Sequence, residues 1–123
     1  MTTPDNLDPS TVVLYKGHRF ALEQTAEFED WLTRLRDTQG KVRILKRLRR
    51  LADGAFGDCK PVGGAVHELR MFFGPGYRVY FMQRDNTVIL LLAGGDKDNQ
   101  VRDIALAKEL ARSEHDGIDD KTV

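Results

Sequence analysis

Four side chains on two neighbouring strand-like runs form the constellation in this sequence best suited to chemistry. In the run at about 65–73, Val66, Glu68, Arg70 and Phe72 alternate onto one face, and His67, Leu69, Met71 and Phe73 onto the other. In the run at about 77–83, Arg78, Tyr80 and Met82 share a face opposite Tyr77, Val79 and Phe81. With Leu69 and Val79 directed at a core, Glu68, Arg70, Arg78 and Tyr80 collect on the face away from it. That set holds one candidate base, two fixed cations and a stacking or acid group, the parts needed for acid–base chemistry at an anionic centre. Lys60 in the preceding glycine-rich loop and Lys97 in the loop after the third run are placed to rim the same surface.

Each of these residues also has a plainer explanation. Arg70 or Arg78 can simply pair with Glu68, Tyr80 can be a half-buried sheet aromatic, and Lys97 is flanked by Asp96 and Asp98. His67 is in phase with Leu69 and reads as a core or edge histidine. Three scattered histidines and the single cysteine, Cys59, make no ligand set, so no metal and no cofactor are expected. Gly94-Gly95-Asp96-Lys97 lacks the spacing of a phosphate-cradling loop.

The elements that must carry these residues read as α+β. Residues 1–19 form an N-terminal arm, expected to be loose or partly ordered, although Thr11–Tyr15 has strand-like composition. A strand over about 20–25 leads into a helix capped by Thr25. Along that helix Phe28, Trp31, Leu32 and Leu35 recur at helical spacing, and Gln39-Gly40 is expected to break it. A second helix over about 41–52 carries Ile44, Leu45, Leu48, Leu51 and Ala52 on one stripe. Its other surface is filled by Lys41, Arg43, Lys46, Arg47, Arg49 and Arg50. Residues 56–64 have loop composition. Three strands at about 65–73, 77–83 and 87–93 follow as an antiparallel β-meander, and then a helix at about 98–112. The expected domain is 20–112, with an N-terminal strand, a two-helix hairpin, a three-stranded meander and a C-terminal helix; 113–123 is expected to be a flexible acidic tail.

Length and charge narrow the function classes. The 123 residues suit one domain. Net charge is zero, yet residues 1–30 carry −4, residues 31–84 carry +8 and residues 85–123 carry −4. Such asymmetry can mark a polyanion-binding surface, or only a solvated basic helix. The longest apolar run, Val88–Ala93, is too short to cross a bilayer. No basic-then-apolar leader is visible at the N-terminus, and one cysteine fits a reducing compartment, so the expectation is a cytoplasmic protein without membrane contact.

Several motifs, taken together, resemble one family. They are Phe28-Glu-Asp-Trp-Leu with Leu35-Arg, Ile44 with Arg47-Leu48 and Leu51, Gly57-Asp58 with Lys60-Pro-Val-Gly63, and Glu68-Leu-Arg70. Gly74-Pro-Gly-Tyr-Arg-Val-Tyr-Phe81 and Leu91-Leu-Ala-Gly-Gly-Asp-Lys97 with Gln100-Val-Arg-Asp-Ile104 complete the set. Over residues 20–112 the chain resembles the HigB-like addiction-module killer proteins of the RelE/ParE toxin superfamily. The resemblance implies a toxin of a type II toxin–antitoxin system, neutralised by a cognate antitoxin, with helix-turn-helix type expected. RelE-like and HigB-like members cut messenger RNA on ribosomes without a metal; ParE-like members poison DNA gyrase.

For the RNase reading, the ribose 2′-hydroxyl attacks the adjacent phosphate, which requires a base, cations and an acid for the leaving oxygen. The resemblance assigns Arg78 a phosphate-clamping role, with Arg70, Glu68, Lys60 and Lys97 as the remaining catalytic candidates. Lys46, Arg47 and Arg50 on the basic helix become candidates for gripping ribosomal RNA, or for docking an antitoxin segment. Two departures stand out. RelE-like enzymes carry lysines on the strand that here reads Val66-His67-Glu68, and the family tyrosine of the C-terminal segment has no counterpart in Gln100–Ile104. The alternatives are a gyrase poison, or a degenerate member that keeps only antitoxin binding.

Overall fold

A computed structural model describes the backbone of residues 11–122 and the side chains of 13–114. The strands are β1 (Thr11–Lys16), β2 (Ala21–Thr25), β3 (Cys59–Gly63), β4 (Val66–Arg70), β5 (Arg78–Gln83) and β6 (Val88–Gly95). The helices are α1 (Ala26–Arg34), α2 (Thr38–Ala52) and α3 (Gln100–Thr122), the last preceded by a short 3-10 turn at Lys97–Asn99. The strands form one six-stranded sheet in the order β1-β2-β6-β5-β4-β3. All neighbours are antiparallel except β2 and β6, which run parallel.

The class α+β holds, but the expected architecture is corrected. The three meander strands are present as β4, β5 and β6, embedded in a sheet twice as wide. The apolar β6 lies in the interior, between β2 and β5. Residues 59–63, read as loop, form edge strand β3 paired to β4. Proline and glycine lower strand propensity, but at an edge Pro61 needs no outward N–H partner. Thr11–Lys16, assigned to the arm, pairs antiparallel with β2 and forms the opposite edge. Residues 1–10 of the arm lie outside the described residues. The last helix, expected to end near 112, continues to Thr122.

Helix boundaries follow their caps. Thr25 Oγ1 accepts from the Phe28 N–H at 3.0 Å and donates to the Leu92 carbonyl at 2.7 Å, tying the start of α1 to β6. That carbonyl lies where the β5–β6 register slips, Tyr80 facing Ala93 and Phe81 facing Leu91, so the hydroxyl serves a group at the irregularity. The break between α1 and α2 comes at Leu35–Asp37, ahead of Gln39-Gly40. Asp37 caps α2 by accepting from Gly40 N–H at 2.9 Å, which draws Gly40 into the first turn. The Tyr77 hydroxyl donates to the same carboxylate at 2.7 Å, joining the helix start to the turn before β5.

Both faces of the sheet are covered. On one, Leu22, Leu69, Val79, Phe81, Ile89 and Leu91 pack with Phe28 and Leu32 of α1 and Ile44, Leu48 and Leu51 of α2. On the other, Val66, Tyr80, Leu90 and Leu92 pack against Ala107 and Ala111 of α3. The face expected to be open is thus roofed by α3, with consequences for Glu68, Arg78 and Tyr80.

Candidate functional site

Strand register assembles a charged cluster beneath the start of α3. Glu68 on β4 stands opposite Lys60 on β3 and Tyr80 on β5, so three strands bring these residues side by side. Glu68 is fully buried. Its Oε2 accepts from Gln100 Nε2, on the first residue of α3, at 2.6 Å. Lys60 Nζ lies 3.9 Å from Oε1 and Arg78 Nε lies 3.8 Å from Oε2. The two cations differ in access, since the Lys60 side chain is 51% exposed and that of Arg78 only 11%. One buried anion between two cations keeps the local charge from being stranded in a poor solvent.

Arg78 is held from a second direction. Its Nη1 donates to the Gly76 carbonyl at 2.9 Å. A side-chain carbon added to Gly76 would meet Arg78 Nη1 and Lys97 Cβ, each at 3.4 Å, so Lys97 adjoins the same turn. Lys60, Arg78 and Lys97 therefore come from three separate elements to one end of the sheet. Tyr80 lies in this group with its hydroxyl buried and unbonded among the described residues. Burial, and then the Glu68 charge, push its pKa well up, so it is a neutral phenol. Asp103 of α3 is buried nearby and is raised by the same loss of solvation.

The other sequence candidates lie elsewhere. Arg70 pairs with Asp58, through Nε at 3.2 Å and Nη2 at 3.3 Å, rather than with Glu68. Arg47 donates to the carbonyls of Ala55 (3.0 Å) and Phe56, fastening the loop after α2. Lys46 and Arg50 are exposed on α2. Arg43, Arg47, Arg50 and Arg70, with Asp58, Phe72 and Phe73, line a cleft of about 340 Å³ between α2 and the end of β4. His67 stacks on Phe81 at 5.5 Å, on the α1–α2 side of the sheet. Among the described residues no group of three or more His, Cys, Asp and Glu is arranged to hold a metal ion, and no helix is long and apolar enough to cross a membrane.

Sequence reasoning missed Gln100 and the pairing of Arg43 with Phe73. The first follows only from where α3 lands on the sheet. The second had a trace in the sequence, an aromatic pair at the end of a strand, but nothing there said that α2 would face it.

The chain is thus a small α+β protein, a mixed sheet with helices on both sides and Lys60, Arg78 and Lys97 gathered at one end of it. The chain is 42% identical over 91 residues to an uncharacterized protein of Haemophilus influenzae, an alignment covering 74% of this chain and 92% of that one. It belongs to the same family as that protein. No family model matches the chain, and no solved structure does.

Proposed function

We propose that this protein is a HigB/RelE-type toxin, a ribosome-dependent, metal-independent mRNA endoribonuclease of the cytoplasm, neutralised by a cognate antitoxin. The observation that carries the reading is the pairing of Lys60 and Arg78 with one buried carboxylate, with Lys97 beside the Gly76 turn that Arg78 also touches. Cations fixed in advance stabilise the charge that grows on a phosphate under attack, and they need no reorganisation when it does. The motifs that resemble those of the killer proteins run through these same positions, from Lys60-Pro61 to Asp96-Lys97.

Within this reading the roles divide by exposure. Lys60 and Lys97 are exposed and meet the RNA backbone, and Arg78, mostly buried, supplies a guanidinium held in place by the Gly76 carbonyl. Glu68 has no access to solvent, so it acts as a positioning residue that holds Arg78 and Lys60 rather than as the base. The ribosome, by holding messenger RNA in line, contributes much of the rate. The burial of Glu68 also favours a second reading, a gyrase poison that works by binding, because it withdraws the carboxylate from acid–base work.

Primer extension on a reporter messenger RNA tests the proposal, with purified protein, with and without ribosomes, and beside a folded Arg78→Ala variant. Ribosome-dependent cuts are expected, with the variant slower by about 100-fold or more, as for loss of one transition-state donor. Cuts without ribosomes would discard the ribosome requirement. No cuts from a protein that still arrests growth would overturn the RNase reading in favour of inhibited supercoiling.

A further inference from the structure

The cleft between α2 and the end of β4 is separate from the Glu68 cluster and differs from it in kind. Phe72 is 78% exposed, the most exposed aromatic ring described, and packing gives no reason for it to be there. Arg70 stands with its guanidinium carbon 5.5 Å from the Phe72 ring centre, and Arg43 lies 4.0 Å over the ring of Phe73. Of the four arginines, Arg70 is engaged by Asp58 and Arg47 by loop carbonyls. Arg43 and Arg50 make no ion pair among the described residues. The cleft therefore offers two cations outside any ion pair among the described residues, one of them stacked on Phe73, two anchored ones and an open aromatic face. Its volume of about 340 Å³ is at the low end of the roughly 300–1,000 Å³ usual for ligand clefts.

We infer that this cleft binds single-stranded RNA, stacking an unpaired base on Phe72 while Arg43 and Arg50 hold the flanking phosphates. An acidic peptide would satisfy the arginines but leave the Phe72 ring in water. A base has a π-face for the ring and, through its nucleotide, phosphates for the guanidinium groups. Paired bases are already stacked and cannot enter, which makes the strand single. The choice of RNA over DNA rests on the proposed function; the stacking and the phosphate contacts rest on the cleft alone.

The test is fluorescence anisotropy of a labelled 2′-O-methyl RNA oligonucleotide, which lacks the nucleophile for self-cleavage, with the full chain and no ribosomes. Phe72→Ala should weaken binding about tenfold or more without changing its salt dependence. Phe72→Trp should restore it. The double variant Arg43→Gln/Arg50→Gln should lower the slope of log affinity against log salt by about 1.4, since each single-strand phosphate contact contributes about 0.7. Because Phe72 is exposed, thermal unfolding of Phe72→Ala should match the parent chain.

Unchanged binding in Phe72→Ala, an unchanged salt slope in the arginine variant, or equal affinity for duplex RNA would each overturn the inference. So would tighter binding of single-stranded DNA, or a poly-glutamate peptide that binds as tightly through the arginines with no dependence on Phe72. Ribosome-dependent cleavage by a chain that binds no oligonucleotide would sink this inference and leave the proposed function. Phe72-dependent binding by a chain that cuts nothing would do the reverse.

Discussion

Replacing Glu68 by glutamine tests whether the buried carboxylate is a scaffold. The substitution keeps shape and an oxygen for Gln100 to donate to, and removes only the charge. At 3.8 and 3.9 Å each cation is attracted to Glu68 by about 4 kcal/mol in surroundings of effective dielectric near 20. Water screens most of this for Lys60, whose side chain is half exposed, so that half of the cluster loses little. Arg78 is nine-tenths buried and keeps only its bond to the Gly76 carbonyl. Stranding one partner of a buried pair costs about 3 kcal/mol. For a domain of this size that lowers Tm by about 12 °C. Differential scanning calorimetry measures it, and adding Arg78→Met should recover about 1 kcal/mol or more relative to additivity. A Tm within about 3 °C of the parent, or strictly additive variants, would refute the argument that Glu68 holds Arg78. Under the proposed function the pH–rate profile of RNA cleavage separates the roles: as a positioning residue, Glu68→Gln lowers the rate but keeps the shape, whereas a lost acid limb would make Glu68 the base.

The Gly94-Gly95 pair at the end of β6 makes a second prediction. A side-chain carbon at Gly94 would enter the Trp31 indole, and one at Gly95 would enter the Asp103 carboxylate of α3, so the two glycines admit close neighbours on opposite faces. Gly94→Ala should cost about 1–3 kcal/mol by overpacking and shift the emission of Trp31, the only tryptophan, in a urea titration; an unchanged midpoint with unchanged emission would contradict the packing. The third prediction concerns alkaline pH. Burial, and then its bond to Asp37, push the Tyr77 pKa up to about 12, and Tyr80 is raised as well. A phenol raised in the fold contributes stability that is complete below its unfolded pKa near 10 and is lost as pH climbs through the folded value. Chemical denaturation across pH 9 to 12 should therefore show falling stability above about pH 10, with a shallower fall in Tyr77→Phe; equal slopes would refute it.

Much of the local structure was written in the sequence, because local structure depends on near neighbours. The stripe of Ile44, Leu48 and Leu51, the cap at Thr25 and the Gly74-Pro75-Gly76 turn are all where spacing and turn chemistry put them. Alternation also grouped Glu68 and Tyr80 correctly, since register sets them face to face. What alternation does not encode is whether a face is covered. The stripe of α3 that covers this one is built on Ala107 and Ala111, small residues that give a weak apolar signal but allow close approach to Tyr80 and Leu92. Only that packing turns Glu68 from an exposed base into a buried anchor, and only it brings Gln100 to the carboxylate. The same limit explains the edges: β3 and β1 are strands because β4 and β2 offer them hydrogen-bonding partners, and no window of a few residues contains that partner. Spacing along the chain is enough to say which residues share a face and which helices have an apolar side. Which faces meet water depends on long-range packing, above all on where α3 lands, and that packing buries Glu68 while leaving Lys60 half exposed.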